Sequence, residues 1–317
     1  MYQLTIPDGA IFKGDIEIFG NLNESLACIS AGLYCDEPVI LHNIPNNACV
    51  LELLAMLRNL GSDCSFLENK VVIRTKNIKS NEVAKTELSK YYSQYLIGPL
   101  ISITGDASVP ADDLTVDLDG KFGIKAVNDS HSTQMSATKL KPFIGKVIQD
   151  DLLCYTLLAM GAGGNSLFRI SSISGDLDSL LVLASSMGCT VSRSSTESVS
   201  VVSRSIMKGC EHTIKHDIDE AELFLAFFAS YESRVCVKNI DWTLLSPTLT
   251  LLEECGKNYQ ITNDGVLIFG KPTSLWKGVE WSKLLNNRFE GNRSGLNDFV
   301  IRLNKTCTSE IVVEEKQ

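Results

Sequence analysis

The sequence predicts an α/β fold assembled from repeated units, and three observations carry that expectation. A helix-then-glycine signature recurs along the 317 residues, at Leu57-Arg58-Asn59-Leu60-Gly61, Ser186-Met187-Gly188 and Glu254-Cys255-Gly256, with Gly123 close to the even spacing between the first two. Three of these glycines have a β-rich run upstream, at 38–44, 166–173 and 234–240. Each run follows an apolar helical segment, at 26–34, 152–160 and 221–229, and each unit ends in further strand-like residues (Val71-Val72-Ile73, Val199-Ser200-Val201-Val202, Val266-Leu267-Ile268). Self-similarity at such a period marks repeat architecture.

Taken in order, the chain opens on the stretch Gly20-Asn21-Leu22-Asn23-Glu24-Ser25-Leu26-Ala27, a turn running into the first apolar helix. Asn or Ser before an apolar helix suits an N-cap. After the strand at 38–44, a helix over 50–60 places Leu51, Leu54, Leu57 and Leu60 on one face. Gly61 closes it, because glycine takes the left-handed conformation at no steric cost. The second unit is short: the stretch from Ala107 to Gly123 is briefer than that from Pro38 to Gly61, so a segment is missing after Pro110. A fifth unit starts with a helix at 297–305 and a strand at 310–313 and does not finish. Its absent neighbour is expected to leave Phe299, Val300, Leu303 and the strand Ile311-Val312-Val313 partly uncovered, unless Trp242, Trp276 and Trp281 fill the gap.

Composition bounds the function. A hydrophobic content of 44% describes an ordinary globular chain. No apolar run is long enough to span a bilayer, and Met1-Tyr2-Gln3-Leu4 lacks the basic and apolar regions of a signal peptide. The ten cysteines include no Cys-x-x-Cys pair, and several fall inside apolar patterns, so they read as reduced core residues of a cytoplasmic protein. A net charge of -9 without a basic cluster argues against nucleic acid as a partner. No metal or cofactor is expected: His212 and His216 share one strand face, but no third ligand is in view.

Several stretches together resemble the enolpyruvyl transferases. They are Phe19-Gly20-Asn21-Leu22-Asn23, Asp36-Glu37-Pro38-Val39-Ile40-Leu41-His42-Asn43-Ile44-Pro45, Ile97-Gly98-Pro99-Leu100, and Asp217-Ile218-Asp219-Glu220 before an apolar helix. The nearest branch is UDP-N-acetylglucosamine 1-carboxyvinyltransferase. The likeness is good over 1–110, fair over 140–230 and weak after 240. It implies inside-out α/β repeats in two domains: 22–209, holding three units, and 1–21 with 210–317, an abbreviated second domain. It also implies a cleft between the domains that takes a small anionic or polar metabolite. The unfinished fifth unit adds a possible homodimer.

The family's chemistry moves the enolpyruvyl group of phosphoenolpyruvate to a hydroxyl and needs cations, a general acid and a carboxylate. Carried over position by position, the family lysine of the opening turn falls on Leu22, and arginines fall on Tyr91, Leu114 and Ile218. The loop with the reactive cysteine falls in the gap after Pro110. The small residues that approach a nucleotide diphosphate fall on Asp150 and Asp151, and Lys146 beside them matches a cationic contact. The resemblance therefore implies a divergent carboxyvinyltransferase-like protein in which the standard reaction is not expected. Two readings remain: altered chemistry in a specialised biosynthetic pathway, or a catalytically inactive relative that binds a metabolite or a protein.

The candidate residues follow. Asn23 and Glu24 would line a retained pocket, or belong to a helix cap. Lys90, Tyr91 and Gln94 share a helical face towards the cleft, or a wet one. Asp112 and Asp113 would act as acid or base, or lie in a solvated turn. Lys146 would be a ligand contact, as the resemblance implies. Asp298 aligns with the family's catalytic carboxylate, or starts a helix. Arg288 and Arg293 flank Gly291 in a stretch that would hold an anion or be solvated.

Overall fold

The computed structural model describes residues 2–170, 177–195, 197–203, 207–272 and 293–315. The chain divides into two compact units, Gly20–Lys215 and Met1–Phe19 with His216–Gln317. It opens with β1 (Tyr2–Thr5) and β2 (Ile11–Glu17), which belong to the second of these.

The larger unit runs α1 (Leu22–Ala31), β3 (Val39–His42), α2 (Ala48–Leu60), β4 (Asp63–Leu67), β5 (Lys70–Arg74), α3 (Ser93–Thr104), β6 (Asp106–Pro110), β7 (Lys125–Asn128), β8 (Ser132–Ser136), β9 (Ile144–Lys146), α4 (Leu152–Ala162), β10 (Gly164–Arg169), α5 (Asp178–Ser186), β11 (Thr190–Ser195), β12 (Ser198–Ser203) and β13 (Cys210–Thr213). Helix α4 is apolar nearly all round, and α1, α3 and α4 are each buried on most sides, as central helices must be. The sheets lie outside them with one face buried, which is the inside-out arrangement. Helices α3 and α4 approach closely at Gly98 and Gly161: a Cβ on Gly98 would stand 2.9 Å from Leu158 N, and one on Gly161 2.9 Å from Ser102 Cβ. Tyr34 Oη donates to Leu157 O at 2.6 Å across the same contact.

The smaller unit adds α6 (Ile218–Ala229), β14 (Glu232–Lys238), α7 (Ser246–Glu254), β15 (Asn258–Ile261), β16 (Gly265–Gly270), α8 (Arg293–Asn304) and β17 (Val312–Glu315). Its core stacks Phe224 on Phe299 with ring centroids 4.9 Å apart and sets Phe12 edge-on to Phe227 at 5.3 Å.

The repeat is visible in the strand orders. Three sheets read β13-β3-β5-β4, β9-β10-β12-β11 and β2-β14-β16-β15. In each, a strand–helix–hairpin unit receives one extra strand in parallel, β13 on β3, β9 on β10 and β2 on β14. The closing glycines follow from geometry: Gly61, Gly188 and Gly256 have φ of 113°, 109° and 72° after α2, α5 and α7.

The second unit departs from the expectation. The sheet β6-β8-β7, with a parallel bridge from Glu82 to Ser108, keeps the same order, but no α-helix joins β6 to β7. Gly123 (φ 75°) follows Phe122 (φ 52°) in a turn, where it ends no helix. The segment missing after Pro110 is thus the unit's helix.

Three further expectations change. Leu51 is 47% exposed, and the buried face of α2 is Val50, Leu53, Leu54, Leu57 and Leu60. Phe299, Val300, Leu303 and Ile311 are buried, and β17 pairs antiparallel with β1, so the start of the chain covers the unfinished unit. Trp242 is 40% exposed and fills no gap; Trp276 and Trp281 lie outside the described residues. Strand β13, placed after the crossing by sequence, packs with the larger unit through β3.

Candidate ligand site

At the opening turn, Asn21 is the N-cap of α1. Its side chain accepts from Glu24 N at 3.1 Å, while Ser25 Oγ donates to Asn21 O. The cap is therefore neither Asn23 nor Ser25. Asn23 is exposed. Glu24 is buried, with 1% of its surface exposed, and its carboxylate accepts from Ser179 N at 2.8 Å. That carboxylate holds the N-terminus of α5 and is closed to a ligand. Leu22 is half-buried against the apolar core of the unit.

Lys90, Tyr91 and Gln94 do not share one regular helix. Lys90 and Tyr91 sit in a 3-10 turn over 89–91, ahead of α3. Lys90 Nζ lies 5.0 Å over the Tyr91 ring, and Tyr91 packs against the core. Gln94 accepts from Thr115 Oγ1 at 3.1 Å. Asp112 and Asp113, next to each other in sequence, have opposite environments. The Asp112 side chain is 92% exposed. Asp113 is buried and accepts from Lys85 Nζ at 2.5 Å and Ser93 Oγ at 3.1 Å. The stretch is thus an anchored turn and only half a solvated one. Each carboxylate oxygen of Asp113 thus accepts one hydrogen bond from the protein. Leu114, next along, packs partly buried on the same core.

The outward face of the β9-β10-β12 sheet carries a different arrangement. Lys146 is the register partner of Arg169 in the parallel pair, and Arg169 is the partner of Ser198 in the antiparallel pair. Partnered residues point to the same side of a sheet, so the three side chains form one row across three strands. They line a cavity of about 680 Å³ with Val147, Ile148, Ile170 and Glu197. Among the described residues neither Lys146 nor Arg169 has a hydrogen-bond or ion-pair partner for its side chain. Two and three residues beyond Ile148, Asp150 and Asp151 stand at the start of α4. Burial pushes the Asp151 carboxyl up from its usual range, Lys121 pulls against that, and Asp150 adds to it.

Sequence reasoning named Lys146 and did not name Arg169, Ser198 or Glu197, which line the same cavity. The signal for Arg169 was one arginine at an outward position of an alternating strand. What joined it to Lys146 was a parallel pairing, which no local pattern encodes.

In the smaller unit, Asp217 caps α6 by accepting from Glu220 N at 2.9 Å. Glu220 pairs with Arg302 at 2.7 Å. Ile218 is partly buried against that unit's core. Asp298 and Arg293 fall within α8, with their side chains outside the described residues, as are Arg288 and Gly291. His212 lies in β13, half-buried, its imidazole held below the usual range by burial first and by Lys215 second. No group of three metal-ligating side chains occurs among the described residues.

No protein-family profile matches the chain. Curated relatives do. UDP-N-acetylglucosamine 1-carboxyvinyltransferase of Thermotoga petrophila is 24% identical over 288 residues, covering 84% of this chain and 68% of the relative. The Finegoldia magna protein of the same name is 24% identical over 319 residues, covering 96% of this chain and 75% of that one. Among solved structures, the enolpyruvyl transferase NikO from Streptomyces tendae superposes with a TM-score of 0.71 at 19% identity, covering 86% of this chain and 68% of that chain. The chain is a relative of the enolpyruvyl transferases. EPSP synthase from Acinetobacter baumannii shares the same fold at a TM-score of 0.58 and 15% identity. Against that enolpyruvyl transferase background, the four positions where the resemblance expects cations are Leu22, Tyr91, Leu114 and Ile218. All four are half-buried side chains packed on apolar cores.

Proposed function

We propose that this protein is a divergent enolpyruvyl transferase-like chain that does not perform the standard transfer from phosphoenolpyruvate to UDP-N-acetylglucosamine, and that it binds a small anionic or polar metabolite. The observation that carries this is the packing of Leu22, Tyr91, Leu114 and Ile218. Each replaces a donor that would stabilise developing charge, and removing one such preorganised donor typically costs about 2.7–4 kcal/mol in the transition state. Four lost together exceed what a neighbouring cation repairs. The same side chains are now part of the packing, so the change is built into the fold.

Between altered chemistry and a catalytically inactive binding module, the two carboxylates after Pro110 support the module. Asp113 is enclosed by Lys85 and Ser93, and Asp112 faces water. A general acid needs reach to its proton, and the bonds to Lys85 and Ser93 hold Asp113 to a structural position. The ten free thiols fit a cytoplasmic protein. A homodimer draws no support from α8, whose apolar residues Phe299, Val300 and Leu303 are buried within the unit; light scattering across a concentration series tests it.

The deciding experiment is phosphate release from phosphoenolpyruvate with UDP-N-acetylglucosamine, on protein free of contaminating enzyme, alongside a binding screen of phosphorylated and carboxylated metabolites. No release together with a bound metabolite is expected. Release at an ordinary enzyme's rate refutes the proposal, and release with another acceptor assigns altered chemistry in its place.

A further inference from the structure

We propose that β15 is an interface strand, and that it pairs antiparallel with β15 of a second copy of this chain about a twofold axis through Gln260. This surface lies in the smaller unit and stands apart from the metabolite-binding reading above.

The repeat itself supplies the comparison. Strands β4, β7, β11 and β15 hold the same outermost place in their sheets. A bare strand edge invites pairing with another chain, and charges, prolines, bulges or covering groups are what ordinarily prevent it. The first three edges are guarded. β4 carries Asp63, and Arg58 Nε and Nη2 donate to Cys64 O at 3.1 Å. β7 carries Lys125, and Asp119 Oδ1 accepts from Ala126 N at 3.0 Å. β11 carries Arg193 and shifts register between Arg193 and Ser195. β15 is Asn258-Tyr259-Gln260-Ile261, with no charge, no proline and an unbroken register against β16.

This edge is also self-complementary. Thr262 N donates to Gly265 O at 2.9 Å, which fixes the phase of the ladder. Gln260 is therefore bonded to Leu267, and Tyr259 and Ile261 turn their N–H and C=O groups outward. Among the described residues nothing bonds these groups. Setting Tyr259 opposite the partner's Ile261 pairs all of them at once and leaves Gln260 opposite itself at the dyad. A neutral amide both donates and accepts, whereas a charged side chain there would meet its like. Ile261 is 40% exposed, and the pairing covers it. The helix beside the strand agrees. Tyr259 Oη donates to Glu253 Oε1, so the flank of α7 that bears Ser246, Thr250 and Glu253, all exposed, lies towards β15. β15 doubles back along α7 after Gly256. The twofold axis thus brings Glu253 towards the start of the partner's α7, where no side chain caps the helix and a carboxylate is favoured. A second copy satisfies edge, dyad and helix together, which an arbitrary strand does not.

The contact is small, so the association is expected to be weak. The test is sedimentation equilibrium of the full chain from micromolar to millimolar concentration, with hydrogen exchange at the two extremes. The mass is expected to rise from one copy towards two, and the Tyr259 and Ile261 amides to gain protection as it does. Gln260→Lys places like charges at the dyad, and Ile261→Lys a charge beside it. Each is expected to weaken association by about tenfold. Both positions are exposed, and an unchanged melting temperature shows the fold intact. Ser65→Lys, at the equivalent place on β4, should leave the association unchanged. A single copy at every concentration overturns the proposal. So does a dimer that both lysine variants leave intact. Full protection of the two amides in the single-copy state overturns it as well, because the chain itself then covers the edge. Each of these outcomes leaves the metabolite-binding reading where it stood.

Discussion

Asp113 offers the sharpest test of whether a carboxylate nominated by sequence has become structural. It accepts from Lys85 Nζ at 2.5 Å and Ser93 Oγ at 3.1 Å, and its own side chain is fully buried while that of Lys85 is 54% exposed. Hydrogen bonds to a charged group are worth about 1.5–3 kcal/mol net. Asp113→Asn keeps the shape and the Ser93 contact and loses the charge, so a loss of about 2 kcal/mol is expected. Lys85→Met is harsher for its size, because it leaves a buried carboxylate unpaired. Breaking a buried pair costs about 3–5 kcal/mol, and the half-exposed lysine places this case near the lower figure. The double variant should then cost less than the two singles added together, since the second change removes the charge that the first orphaned. Urea unfolding monitored on the full chain, with the larger unit followed by a probe on α3, gives the three numbers. Single-variant losses under about 0.5 kcal/mol, or strict additivity in the cycle, would refute the structural reading and return Asp113 to the catalytic candidates.

Three further outcomes are expected. Leu22→Lys restores the family cation in name only: it removes an apolar side chain from the core edge, should destabilise by about 1 kcal/mol, and yields no phosphate release from phosphoenolpyruvate. Gly98→Ala forces a Cβ to within 2.9 Å of Leu158 N, and a loss of about 1–3 kcal/mol in thermal or urea unfolding is expected from this overpacking. Lys257 is buried with its ammonium held by the carbonyls of Tyr231, Gly270 and Lys271, and burial brings it down to about 8 from 10.5. Between those values the unfolded chain binds more protons than the folded one, so this group's contribution to stability rises with pH across that window. The stability difference between wild type and Lys257→Met should therefore move in favour of the wild type from about pH 8 to pH 10, and a difference flat in pH would contradict it.

How much of this was legible in the sequence depended on what kind of contact fixed each feature. The repeat was legible because it is written locally: an apolar helix, a β-rich run and a glycine at positive φ recur as composition. Gly61, Gly188 and Gly256 close helices as expected. Gly123 did not, because one glycine serves equally in a turn, and the helix it would have closed is the segment absent between β6 and β7. Leu51 was misjudged for a related reason. The spacing 51, 54, 57 and 60 and the spacing 50, 53, 54, 57 and 60 both satisfy helical period, and only the packing against the neighbouring elements selects the second.

The site was legible to a smaller extent, and the cause is physical. Glu24 and Asp113 are polar residues in polar-looking stretches, and nothing within a few residues of either says that Ser179 N or Lys85 will claim it. Their partners come from 155 and 28 residues away. Closure of the fifth unit was misread likewise: its covering strand, Tyr2–Thr5, lies at the other end of the chain. The four lost cations run the other way. Leu22, Tyr91, Leu114 and Ile218 stand out in sequence only against the family pattern, and their packing turns an absence into a positive feature. A site that had merely lost its charges would leave those positions small or solvated. Filling them with apolar side chains that rest on the core makes reversal costly, since each restored cation would have to be desolvated where a hydrophobic contact now stands.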